Sequence, residues 1–159
     1  MKTYKTESTR ETKKIATSLV KKLLKKRAKR KNALVFALTG DLGSGKTTFI
    51  QGFLAALGIR KKITSPTFVL FKKYRILSPF GRSPAGRQFP NSPIYHVDCY
   101  RIKKPKELID LGLKEILNNP QNIVLIEWAE KIRRILPKDI VWIKFKHSRK
   151  FSQRHIQII

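Results

Sequence analysis

Apolar positions change their period along the chain, and the changes mark its elements. In "STRETKKIATSLVKKLL" (8–24), Ile15, Ala16, Leu19, Val20, Leu23 and Leu24 recur at helical spacing while lysines fill the other face. Ser8 with Glu11 three residues on fits a capping box, so a helix is predicted to start there. Its stripe holds small aliphatics and no aromatic anchor, which favours packing on the domain over a membrane surface. The basic "KKRAKRKN" (25–32) then ends it as a charged, solvated segment. "ALVFAL" (33–38) is a continuous apolar run suited to a buried strand. "KTTFIQGFLAALG" (46–58) places Phe49, Ile50, Phe53, Leu54 and Leu57 on one side of a helix, with Gly58 at its end.

Further along, "TFVLFKKYRIL" (67–77) and "IYHVD" (94–98) read as strands, and "PKELIDLGLKEIL" (105–117) as one helix with Pro105 near its first position. "NIVLIEW" (122–128) is a second fully apolar strand, followed by a short helix to Leu136. "DIVWIKFKH" (139–147) and "FSQRHIQII" (151–159) form a terminal antiparallel hairpin around Ser148–Lys150. The polar residues 1–7 are expected to be disordered, and 78–93, with four prolines and two glycines, a long irregular loop. Apolar strands alternating with helices predict one α/β domain, 1–159, whose mainly parallel sheet is covered on both faces and made mixed by the hairpin.

Composition narrows the setting. A hydrophobic content of 41% is enough for a core, and no apolar run approaches the roughly 20 residues that cross a bilayer. The N-terminus lacks an apolar signal segment and the single cysteine, Cys99, cannot close an internal disulfide, so a cytoplasmic protein without a membrane role is expected. Cys99 is expected to be inert. The net charge of +26, from 36 Lys and Arg against 10 Asp and Glu, favours polyanionic partners, nucleic acid above all. That charge is spread over the N-terminal arm, 60–62, 72–75, 101–106 and 144–154 instead of forming one patch.

The chemistry concentrates in "TGDLGSGKTTFI" (39–50). Gly40, Gly45, Lys46 and Thr47 satisfy G-x-x-x-x-G-K-[ST], between an apolar strand and a helix as a P-loop requires. Glycines let successive backbone N–H groups turn toward phosphate oxygens, and the helix N-terminus adds partial positive charge. The binding loop is therefore Gly40, Asp41, Leu42, Gly43, Ser44, Gly45, Lys46, Thr47 and Thr48, with Lys46 on the outer phosphates and the Thr47 hydroxyl on magnesium. A nucleoside triphosphate with Mg2+ is the expected ligand, and the absence of an N/T-K-x-D-like guanine reader favours ATP.

A second acid is needed for the metal or its water. Glu127 closes "NIVLIE" and Asp98 closes "IYHVD", both at strand ends that line the crevice of an open α/β sheet. Glu127, on the more completely apolar strand, is assigned to the metal, and Asp98 to orienting water or a supporting contact. His96 alternates with Asp98 and so faces the same side, but the pair alone is not expected to be a metal site. "TSPTF" (64–68) lies where a loop sensing the γ-phosphate could sit, or is an ordinary turn. Trp128 packs near the nucleotide or fills the core.

Together, "GDLGSGKTTF", "TSPTF", "YHVDCYR" and "IEWAEKI…LP" resemble, in order and spacing, the TsaE (YjeE) family of P-loop ATPases over nearly the whole chain. The resemblance implies a small P-loop NTPase-like, three-layer α/β domain that hydrolyses ATP slowly alone and acts with TsaB and TsaD to form threonylcarbamoyladenosine at position 37 of ANN-decoding tRNAs. It implies that Lys46 and Thr47 are the Walker lysine and magnesium-binding threonine, Glu127 the metal-linked acid and Asp98 the essential acid of H-x-D-x-Y-R. Thr64 to Phe68 would match a switch-like loop, and Tyr100 and Arg101 a partner surface or nucleotide sensor. The chain departs from the family in a longer 78–93 loop and in its basicity, which raises direct tRNA contact. Two other classes are open: a small-molecule kinase with Arg82 and Arg87 as lid arginines, and an RNA-binding nucleotide switch.

Overall fold

The computed structural model describes residues 1–23, 30–59, 63–66, 70–75, 92–148 and 153–159. Seven strands make one mixed sheet: β1 (Lys2–Thr6), β2 (Leu34–Thr39), β3 (Phe71–Tyr74), β4 (Ile94–Asp98), β5 (Ile123–Glu127), β6 (Val141–His147) and β7 (Arg154–Ile158). Their spatial order is β1-β7-β6-β2-β5-β4-β3. The centre, β6-β2-β5-β4, is parallel, while β3, β7 and β1 pair antiparallel at the two sides. The predicted terminal hairpin is the β6–β7 pair, with Phe145 opposite Ile156.

The innermost strands, β2 and β5, read as apolar runs because both faces are covered. On one face Leu34, Phe36, Leu38, Ile94, Ile123, Leu125, Ile143 and Phe145 pack beneath α1 (Thr9–Leu23) and α2 (Lys46–Ala56). Phe36 meets Phe53 of α2 edge-on with ring centroids 4.7 Å apart. On the other face Val35, Ala37, Val97, Val124 and Ile126 pack against α3 (Lys106–Asp110), α4 (Leu113–Asn118) and a 3-10 helix, Ala129–Ile135. Helices α1 and α2 approach closely because Gly52 has no side chain: a Cβ there would lie 2.6 Å from Lys13 Cα and 2.8 Å from Lys13 O.

Three expectations are corrected. Residues 2–6 are a strand: Tyr4 pairs with Ile156 and packs on the core, while buried Thr6 meets the Thr12 hydroxyl at 3.2 Å. Their polarity suits an edge strand, where lysines discourage further pairing. The segment 105–117 is two helices, because Leu108, Leu113 and Leu117 are the buried positions and a five-residue step cannot keep one helical face inward. Gly112, at φ 84, makes the turn between them. The capping box is half-formed: Ser8 Oγ accepts the Glu11 N–H at 3.2 Å, but the Glu11 carboxylate accepts from Glu7 N–H at 2.8 Å.

The strand predicted over 67–77 is confined to Phe71–Tyr74 among the described residues, and nearly all of the 78–93 loop, with Arg82 and Arg87, lies outside them. Among the described residues no helix is long and apolar enough to cross a membrane.

Candidate active site

The carboxyl ends of β2, β4 and β5 converge on one cleft, of about 300 Å³, with the 40–45 loop over it. Gly40 leaves β2 at φ 129, a conformation that L side chains rarely adopt, and a Cβ there would lie 2.3 Å from Phe145 O. The loop thus sits directly on β6. It enters α2 through Gly45, also at positive φ, so no side chain caps the helix, and its first turn carries no acid. The N-terminal amides and partial positive charge of α2 are left for an outside anion.

Lys46, though 4% exposed, belongs to the cleft. Its Nζ donates to Gly40 O at 2.6 Å and Asp41 O at 2.8 Å, and lies 3.9 Å from the centre of the Trp128 ring. Burial pulls its pKa below the usual lysine value, and the charge of Glu127 works against that shift. A phosphate would replace the carbonyls as partner to the ammonium.

Across the cleft stands Glu127, the last residue of β5. Thr47 Oγ1 donates to its Oε2 at 2.8 Å and lies 3.1 Å from its Oε1. His96 Nε2 lies 2.8 Å from Oε1. Asp98 pairs in register with Glu127 on the neighbouring strand but has different partners. Its Oδ1 accepts the Tyr100 N–H at 2.8 Å, and its Oδ2 accepts the hydroxyl of Ser65. The 63–66 segment is thereby tied to β4, whereas residues 67 and 68 of the predicted switch-like loop lie outside the described residues. Trp128 follows Glu127 with φ 58, an uncommon conformation for such a residue, and packs on Tyr100 with centroids 5.2 Å apart. Cys99 is buried, and its thiol is pushed up to about 12 by burial and then by the charge of Asp98, which agrees with an inert thiol.

Of the residues assigned from sequence, Leu42, Gly43, Gly45, Lys46, Thr47 and Thr48 line the cleft together with Asp98 and Glu127. Gly40 and Asp41 accept hydrogen bonds from Lys46 through their carbonyls, and Ser44, within the loop, is fully buried. Three contacts were not foreseen. His96 bonds Glu127; alternation along β4 had given its side of the sheet but not its partner. His147 Nε2 lies 2.9 Å from Leu42 O, and the Arg154 side chain lies where a Gly45 Cβ would fall, 2.8 Å away. Both come from the terminal hairpin, more than 100 residues from the loop, and no local pattern announces them.

Among the described residues no three His, Cys, Asp or Glu side chains gather as a ready-made metal cage. A hydroxyl and a carboxylate in contact beside a phosphate-type loop are nevertheless the hard oxygen donors that suit Mg2+, which is bound by few protein groups plus substrate phosphates and water. The residues present fit that ion.

Strand, glycine loop and helix on a parallel-centred sheet make this a P-loop NTPase-type α/β domain. Comparison with known proteins is specific. The chain belongs to the family described as "TsaE: Threonylcarbamoyl adenosine biosynthesis protein TsaE", whose model matches residues 6–156. A Bacillus subtilis (strain 168) protein named "tRNA threonylcarbamoyladenosine biosynthesis protein TsaE" is 39% identical over 72% of this chain, a match spanning 62% of that relative's length. The same-named Haemophilus influenzae protein is 38% identical over 80% of this chain and 70% of its own length. Among solved structures, one described as the crystal structure of Bacillus subtilus YdiB superposes with a TM-score of 0.70 at 31% identity, covering 99% of this chain and 83% of that one.

Proposed function

We propose that this chain binds ATP with Mg2+ at the 40–48 loop and hydrolyses it as a subunit of the machinery that installs threonylcarbamoyl on adenosine 37 of ANN-decoding tRNAs. The observation that carries this reading is the Thr47–Glu127 contact, at 2.8 Å, beside the buried Lys46. It joins a hydroxyl that can ligate magnesium to a carboxylate that can hold the metal's shell. Bound Mg2+ would neutralise charge on the β- and γ-phosphates. Thr47 would hold it directly, with Glu127 against it or its water. Lys46 would exchange loop carbonyls for phosphate oxygens, and Asp98 would orient water or keep the 63–66 segment in place.

The relatives' names support the pathway, and the partners implied by the family resemblance are TsaB and TsaD, in the cytoplasm. The +26 charge supports a direct tRNA contact as well. Reconstitution tests the whole reading: modified tRNA counted over many turnovers with TsaB and TsaD, with and without this chain, alongside phosphate release. Continued turnover without it, or transfer of phosphate to a small molecule, contradicts the proposal. Equal tRNA affinity of the complex with and without the chain contradicts the direct contact alone.

A further inference from the structure

His96 is fully buried on β4, on the face that carries Ile94 and looks toward α2. Its register partner is Leu125, so Glu127 lies diagonally opposite, two residues on along β5 and on the same face. An apolar side chain would suit a fully buried position better than an imidazole, unless the ring has a bond to make. It has one: Nε2 is 2.8 Å from Glu127 Oε1, while Nδ1 is buried with no partner among the described residues. Only a proton on Nε2 lets the ring donate to the carboxylate. Glu127 is then gripped from two elements at once, by Thr47 of α2 and by His96 of β4. Two donors in different directions fix the rotation of a carboxylate that one would leave free.

We propose that His96 is a positioning residue: donating through Nε2, it sets the orientation in which Glu127 meets Thr47 and the Mg2+ site. The inference rests on the metal role proposed for Glu127. Removing such an outer-shell partner typically weakens metal affinity 10- to 100-fold.

The test is calorimetric binding of a non-hydrolysable ATP analogue across a Mg2+ titration, for wild type, His96→Leu, His96→Asn and His96→Gln. A glutamine amide nitrogen reaches roughly as far as Nε2, and an asparagine falls short. His96→Leu and His96→Asn should need about 10-fold more Mg2+ for half-maximal enhancement, with Mg2+-free affinity unchanged. His96→Gln should restore most of the loss. An unchanged Mg2+ requirement in His96→Leu, or a His96→Gln no better than His96→Asn, overturns the proposal; the latter pair decides if His96→Leu fails to fold. Wild-type binding that ignores Mg2+ sinks the metal reading and this inference together, whereas a normal wild-type response with unshifted variants sinks this inference alone. Independently of metal, the imidazole 15N spectrum should place a His96 proton on Nε2, and a proton on Nδ1 alone overturns the assignment.

Discussion

Substitution can separate the metal role proposed for Glu127 from the hydrogen bonds it accepts. Truncation in Glu127→Ala removes the acceptor of the Thr47 hydroxyl and of the His96 ring, both within 2.8 Å. His96 is fully buried, so its N–H is left unsatisfied at a cost of about 1–3 kcal/mol. Thr47 lies at the cleft and can turn to water, so its loss adds about 0.5–1.5 kcal/mol. The sum, about 1.5–4.5 kcal/mol, lowers the melting temperature by about 3–18 °C at this chain length. Glu127→Gln keeps the side-chain shape and an amide oxygen for one donor, so its melting temperature should fall by no more than half as much as that of Glu127→Ala. Both variants lose the carboxylate proposed to face the metal. Phosphate release in the presence of TsaB and TsaD should therefore fall at least 100-fold in each, while nucleotide binding is largely retained by the loop and Lys46. Circular-dichroism melts and a phosphate assay on the same samples check the two effects separately. Melts of Glu127→Ala that match wild type would refute the contacts, and normal turnover in Glu127→Gln would move the metal role elsewhere, to Asp98 first.

Other outcomes follow from the same structure. Lys46→Ala should weaken binding of the ATP analogue by at least 30-fold, since losing a charge-assisted partner typically costs 2–5 kcal/mol; unchanged calorimetric affinity contradicts the assignment. Burial holds the Lys46 pKa below 10.5, so the unfolded chain binds more protons than the folded one between that lowered value and 10.5. Lys46 therefore makes stability rise with pH across that window, and denaturant melts of Lys46→Met should lack this component. Only the ammonium attracts phosphate, so wild-type nucleotide affinity should begin to fall below the pH at which an ordinary lysine titrates; a flat profile there is the contrary result. Gly52→Ala should destabilise the fold by about 1–3 kcal/mol despite alanine's better helix propensity, because the new methyl meets Lys13 backbone at 2.6 Å; a higher melting temperature would show that α1 yields freely. Cys99 should resist iodoacetamide at pH 8 in the folded protein and react once denatured, and rapid alkylation of the native chain would contradict its burial.

The sheet was legible because its innermost strands, β2 and β5, are apolar on both faces, and the P-loop because its glycines and Lys46-Thr47 obey a spacing set by phosphate geometry. Glu127 and Asp98 could be placed at the cleft from their positions at strand ends alone. What stayed hidden depends on tertiary pairing. Lys2–Thr6 is polar and becomes a strand only because β7 offers an edge. The break at Gly112 follows from which leucines the sheet buries, which helical periodicity over 105–117 does not reveal. The link from His96 to Glu127 needs the β4–β5 register, and the support of the loop by His147 and Arg154 needs the closure of the terminal hairpin. The resemblance carried by the four motifs reached the family, while the partners of each side chain came from the fold.

The most direct measurement is a crystal structure with a non-hydrolysable ATP analogue and Mg2+. The account predicts that Lys46 Nζ leaves the carbonyls of Gly40 and Asp41 for phosphate oxygens, that Thr47 Oγ1 ligates the ion, and that Glu127 lies against the ion or its water. A nucleotide seated elsewhere, or an ion beyond the reach of both Thr47 and Glu127, would contradict it.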